Sequence, residues 1–118
     1  MRGRQYITKP EQFTAIYNQG SSWANKIVVL KVIPNNLEIS RYGFSVSSRV
    51  GGAVIRNRVK RRLREIVRQA GLKASWDLVI IARPASAGAE FVELKSSVIS
   101  LLNRAKLVSK EKKGQEIS

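Results

Sequence analysis

The chain has 118 residues, 22 of them Lys or Arg and 8 Asp or Glu, for a formal charge of +14 with 43% hydrophobic residues. That length suits one domain with a real core, and a charge that opposes compaction by self-repulsion points to a polyanionic partner. Cys and His are both absent, which excludes disulfides, thiolate-ligated zinc and the commonest general base.

Residues 1–9 are basic and polar and read as a mobile arm ahead of a domain over 10–108. Pro10 suits a first helical turn, and Phe13, Ile16 and Tyr17 follow at helical spacing up to Gly20. The β-branched run Ile27 to Ile33 predicts a strand, extended back to Ser21 through a bend near Asn25. Pro34-Asn35-Asn36 is a turn, and Tyr42, Phe44 and Val46 alternate with small residues as a second strand with one apolar face. Gly51-Gly52 leads into a helix over 53–70 that Gly71 closes.

Leu78 to Ala82 is apolar at every position, as an interior strand requires, and Arg83-Pro84 ends it. A last helix carries Phe91, Leu94, Val98, Leu101, Leu102 and Ala105 on one stripe, and residues 109–118 form a polar tail read as disordered. The expected fold is α+β, one sheet of three or four strands with three helices, in the order α-β-β-(β)-α-β-α. The strand after the basic helix may be parallel or antiparallel to the one before it; a parallel pair would carry a right-handed crossover by default.

The informative segment is Ile55 to Arg68. On a helical wheel Ile55, Val59, Leu63, Ile66, Val67 and Ala70 fill a sector of roughly 120°. Asn57, Lys60, Arg61, Arg64 and Arg68 lie opposite, with Arg58 and Arg62 curving back toward the apolar edge. Seven cations (Arg56, Arg58, Lys60, Arg61, Arg62, Arg64, Arg68) stand against the single acid Glu65. Like charges at i,i+4 cost an isolated helix a few tenths of a kcal/mol each, a pattern that makes sense beside phosphates. Arg predominates, which favours bidentate phosphate contacts and stacking on bases. Asn57 either reads a sugar or base edge or is a solvated polar residue.

The carboxylates Glu11, Glu38, Glu65, Asp77, Glu90, Glu93, Glu111 and Glu116 are scattered, with only Glu90 and Glu93 close in sequence. A two-metal nuclease needs several carboxylates converging on its ions, so no catalytic or metal-binding residue is assigned to the protein. No apolar run reaches the length of a membrane span and the basic stretch lacks the aromatics of an interfacial helix. A cytoplasmic protein that binds nucleic acid rather than membrane is expected.

The stretch Gly43 to Glu65, GFSVSSRVGGAVIRNRVKRRLRE, resembles the bacterial ribonuclease P protein family, with the RNR helix at Arg56-Asn57-Arg58 followed by Lys60-Arg61. Phe13, Tyr17 and Gly20 of FxxIYxxG, Ser22 to Asn25, and LVIIARP at Leu78 to Pro84 match as well, so that the resemblance spans residues 5–105 in order. It implies a left-handed βαβ crossover around the RNR helix, and a subunit that binds ribonuclease P RNA and the 5′ leader of precursor tRNA. It further implies that the RNA, holding Mg²⁺, performs the cleavage, in a 1:1 ribonucleoprotein with a monomeric protein.

The RNA-subunit contacts it implies are Arg49, Arg56, Asn57, Arg58, Lys60, Arg61, Arg62, Arg64 and Arg68, and the leader contacts are Phe13, Tyr17, Lys31, Ser45 and Arg83. Spacing alone would make Phe13 and Tyr17 core residues; the resemblance makes them leader-stacking aromatics. Lys31 departs from the family, where Tyr is common, as does Ser48, where Lys is common. Arg83 either faces RNA or caps its strand. The competing readings are a ribosomal protein or RNA chaperone, which leaves the ordered motifs unexplained, and a stand-alone endonuclease, which the scattered carboxylates oppose.

Overall fold

The computed structural model describes residues 6–108, so the expected tail at 109–118 and the first five residues of the expected arm lie outside the described residues. The elements are α1 (Pro10–Gln19), β1 (Ser21–Ala24), β2 (Val28–Pro34), β3 (Arg41–Ser45), α2 (Ala53–Ala70), β4 (Trp76–Ala82), a 3₁₀ turn over Pro84–Gly88 and α3 (Phe91–Arg104). The four strands form one mixed sheet in the order β1-β2-β4-β3. β4 runs antiparallel to β2 and parallel to β3. The fold is the α+β arrangement expected, with four strands, the upper end of the three or four anticipated.

The position of β4 explains its composition. It lies inside the sheet with both faces covered, so Leu78, Ile80 and Ala82 join one core while Val79 joins another. The larger core combines these residues with Val28, Leu30 and Val32 of β2, Val59, Leu63, Ile66 and Val67 of α2, and Leu94, Val98, Leu101 and Leu102 of α3. The smaller core lies on the opposite face of the sheet, where Ile16 of α1 and Ile7 pack on Val79. The helices therefore cover the sheet from both sides, α2 and α3 on one and α1 on the other.

The expected bend at Asn25 is a full reversal. β1 pairs antiparallel with β2 in the register Ser21↔Val32 to Ala24↔Val29. One side chain makes the turn: Asn25 Oδ1 accepts from the backbone N–H groups of Ile27 and Val28, each at 3.0 Å. Its amide nitrogen donates to the Ser97 carbonyl at 3.0 Å and so ties the hairpin to α3. An Asx turn of this kind is a recognised use of Asn.

Helix α2 has the boundaries read from the glycines. Gly71 ends it in the left-handed region with φ 70°, where a Cβ would be strained. In α3 the residues Leu94, Val98, Leu101 and Leu102 are buried as expected, whereas Phe91 lies exposed at the first turn. The arm is ordered closer to the domain than its polarity suggested. Ile7 is buried and its N–H donates to the Tyr42 carbonyl at 2.9 Å, while Tyr6 bridges to β3 and its ring stands edge-on to Tyr42 at 5.2 Å. The alternation of Tyr6 and Ile7 is too short for a strand to be read from it.

Strand β4 begins two residues before the apolar run, at Trp76 and Asp77. Asp77 is buried, and its carboxylate accepts from Arg41 Nε at 2.9 Å, the Arg41 terminal nitrogen at 2.6 Å and Asn35 Nδ2 at 2.8 Å. This network joins β3, β4 and the turn after β2, and hydrogen bonding to Asp77 raises the Arg41 pKa above its already high ordinary value. Removing one partner of a fully buried pair costs roughly 3–5 kcal/mol. Because Arg41 stays partly exposed, Asp77→Ala should lower the unfolding free energy by less, about 2–3 kcal/mol, in urea denaturation. A second prediction concerns Tyr42. Burial, and then the neighbouring Tyr6, raise its pKa above the ordinary 10.0. The folded state therefore holds a proton that the unfolded state releases first, so this contribution is complete below pH 10.0 and is lost as pH rises through the folded value. Absorbance titration of tyrosinate should show one late phenol that disappears in Tyr42→Phe.

Candidate nucleic-acid interface

Helix α2 divides its side chains as its sequence dictates. Val59, Leu63, Ile66, Val67 and Ala70 are buried, while Asn57, Arg61, Arg64 and Arg68 are exposed. Arg56, Arg58, Lys60 and Arg62 are half-buried along the two margins. Arg49 is exposed in the turn before the helix, where its N–H donates to Ser47 Oγ at 3.3 Å.

The cations differ in what already holds them. Arg68 pairs with Glu65, and that hydrogen bond lowers the Glu65 pKa and raises that of Arg68. The helix thus neutralises its single acid against its last arginine. The Arg64 guanidinium lies 5.9 Å from the Tyr6 ring centroid, a cation–π distance. Arg58 donates to the Ala87 carbonyl at 3.0 Å and Arg62 to the Ala89 carbonyl at 3.3 Å. Among the described residues no hydrogen-bond or ion-pair partner is found for Asn57, Lys60 or Arg61. The Nε atoms of Arg56 and Arg58, and Ser86 Oγ in the 3₁₀ turn, are shielded from solvent and meet no hydrogen-bond partner among the described residues.

A second surface lies on the other face of the sheet. Side chains alternate along a strand, and the register aligns Ser22, Lys31, Val79 and Gly43 in one row and Ala24, Val29, Ile81 and Ser45 in the next. Helix α1 stands over the first row. Its Phe13 ring rests on Gly43, where an added Cβ would lie 2.9 Å from the ring. The Tyr17 ring follows at 6.3 Å from Phe13, tilted by 44°, and is 40% exposed. Lys31 and Ser45 thus lie on the face of the sheet that α1 covers, together with the half-buried Val29 and Ile81, and Phe13 and Tyr17 lie on that helix.

Phe13 serves the core, since it packs with Ile7, Ile16 and Val79, whereas Tyr17 is the aromatic with an open face. Arg83 is exposed at the end of β4 and donates to the Asn25 carbonyl at 3.0 Å, so it secures the β1–β2 turn. Val29, Ile81 and Tyr6 were not singled out in the sequence. The first two read as ordinary strand residues, because only the pairing register reveals which face they line.

Among the described residues no three carboxylates gather in a way that would hold a metal ion. One surface carries guanidinium and ammonium groups, a chemistry suited to phosphates, and the other an exposed tyrosine on α1 and a lysine on the strand face beneath it.

The family model for ribonuclease P matches residues 1–106. A ribonuclease P protein component from Dehalococcoides mccartyi strain CBDB1 is 44% identical over 93% of this chain and 92% of its own length. One from Alkaliphilus metalliredigens is 38% identical over 92% of this chain and 100% of its own length. Among solved structures, the Staphylococcus aureus RNase P protein superposes with a TM-score of 0.81 at 31% identity, covering 89% of this chain and 98% of that one. The Thermotoga maritima protein gives 0.78 at 28% identity, covering 86% and 97%. With matched motifs, matched fold and matches spanning nearly the whole length, the chain belongs to the ribonuclease P protein family.

Proposed function

We propose that this chain is the subunit that binds the catalytic RNA of ribonuclease P through α2 and the 5′ leader of precursor tRNA through the cleft beside α1. The observation that carries the reading is the outward face of α2, where Asn57, Arg61 and Arg64 are exposed, with Lys60 half-buried beside them, on a helix whose other side is locked into the core. Arg49, Arg56 and Arg68 extend that surface, and Arg58 and Arg62 line its margin. In the cleft, Tyr17 stacks on a leader base without regard to its identity, Phe13 backs it, and Lys31 meets a leader phosphate in place of the more usual aromatic. Ser45 lies on the cleft floor within reach of a sugar or phosphate oxygen, and Arg83 stands where the leader would leave the groove.

The reaction is hydrolysis of one phosphodiester bond. Water adds to phosphorus, the leader departs with a 3′-hydroxyl, and the tRNA keeps a 5′-phosphate. Magnesium held by the RNA would supply the chemistry; among the described residues no group of carboxylates gathers that could hold it. The protein's part is to neutralise phosphates that would otherwise repel one another and to hold the leader in line. It acts as a monomer with one RNA, in the cytoplasm.

Binding of this kind is steeply salt dependent. If 6–10 phosphates are neutralised, affinity for ribonuclease P RNA should fall roughly 10³–10⁵-fold between about 50 and 200 mM salt. A nearly flat salt profile in filter binding would remove the proposal's electrostatic basis. For the cleft, Tyr17→Ala should weaken binding of leader-bearing precursor about tenfold, within the range of about 1–3 kcal/mol for a lost base stack. Its binding of leaderless tRNA and its assembly with the RNA should match the parent. Equal losses on both substrates would show that Tyr17 does not touch the leader.

A further inference from the structure

The basic residues of α2 do not form one functional set. Arg58 and Arg62, one turn apart and both half-buried, turn away from the exposed crest and donate to two consecutive odd-numbered carbonyls, those of Ala87 at 3.0 Å and Ala89 at 3.3 Å. Those carbonyls belong to the short segment that leaves β4 through the 3₁₀ turn and starts α3. The segment is made of small residues: Ser86 and Ala89 are buried, Ala89 in the larger core with Ala87 packed against it, while Pro84, Ala85 and Gly88 are exposed. The arginine bonds thus hold the two carbonyls that flank Gly88. Neither the 3₁₀ turn nor α3 has a side-chain cap at its N-terminus.

Two carbonyl oxygens at the margin of a phosphate-binding ridge would present partial negative charge to a polyanion. A guanidinium bonded to each removes that repulsion and fixes the segment against the helix. Lys60 and Arg61 have no such partners among the described residues; Arg61 is exposed on the crest and Lys60, half-buried, stands next to it in the helix.

We propose that Arg58 and Arg62 are positioning residues, which clamp the segment from Pro84 to Glu90 onto α2 and shield its carbonyls, while Lys60 and Arg61 supply phosphate neutralisation. The division rests on the reading of α2 as the RNA-subunit surface and assigns roles within it.

The two roles differ in salt dependence. A residue that neutralises a phosphate contributes about 0.7–0.9 to the slope of log affinity against log salt, whereas a positioning residue changes affinity with little change of slope. Met keeps most of the aliphatic stem of Arg or Lys without the charge, so the double variants Arg58→Met/Arg62→Met and Lys60→Met/Arg61→Met are compared with the parent for binding to ribonuclease P RNA across a salt series. Hydrogen exchange of the backbone amides at 85–91 is followed in the free proteins.

The clamp pair should lose about tenfold in affinity, change the slope by less than about 0.5, and lose amide protection at 85–91. The crest pair should reduce the slope by about 1.4–1.8 and leave that protection intact. A slope loss in the clamp pair equal to that of the crest pair would make Arg58 and Arg62 phosphate contacts and overturn the division. Unchanged affinity with lost protection would reduce them to a fold-stabilising clasp, and unchanged protection would remove the clamp itself. A shallow slope in the parent, with the exchange result as expected, would instead sink the RNA-subunit reading and the assigned roles with it, leaving only the clasp.

Discussion

The interaction on which the molecule depends is the burial of one side of α2 against the sheet. A helix carrying cations at Arg56, Arg58, Lys60, Arg61, Arg62, Arg64 and Arg68 repels itself, with each i,i+4 pair costing a few tenths of a kcal/mol. Burial of Val59, Leu63, Ile66 and Val67 contributes about 1.5–3 kcal/mol for each side chain and exceeds the repulsion several-fold. The core therefore holds the charges in a geometry they would not adopt alone. Part of their repulsion is relieved by Glu65 and by the Ala87 and Ala89 carbonyls, and the rest is held in place by the buried side of the same 18 residues.

The parallel pairing of β3 with β4 sets the rest. It requires a crossover, and α2 is that crossover. It also puts β4 in the interior, which leaves one face of the sheet to α2 and α3 and the other to α1. The basic face of α2 and the face that carries α1 are in consequence separated by the thickness of a sheet, yet meet at the β3 edge, where Tyr6 lies beside Arg64 on one side and Ile7 packs beside Phe13 on the other.

Much of this was legible in the residues because it is periodic. The ends of α2 follow from Gly52 and Gly71, the interior place of β4 from LVIIA, and the buried stripe of α3 from its spacing. What escaped was decided by single polar contacts between residues distant in sequence. Asp77 belongs to β4 because Arg41 and Asn35 compensate its charge. The reversal at Asn25 depends on one amide, and the bonds of Arg58 and Arg62 reach 29 and 27 residues along the chain. A helical wheel shows those two arginines leaning toward the apolar margin but not the carbonyls that receive them. On the other side of the sheet, that Val29 and Ile81 share a face with Lys31 and Ser45 follows only from the pairing register.

The seat of Phe13 on Gly43 has a bearing on how such chains diverge. The ring occupies the space where any other residue at 43 would carry its first carbon, so the two positions are not independent. A lineage that enlarges position 43 must first shorten position 13 or tilt α1 outward, and either change reshapes the groove beside Tyr17. Covariation between these positions, thirty residues apart in the chain, would therefore track the width of the groove.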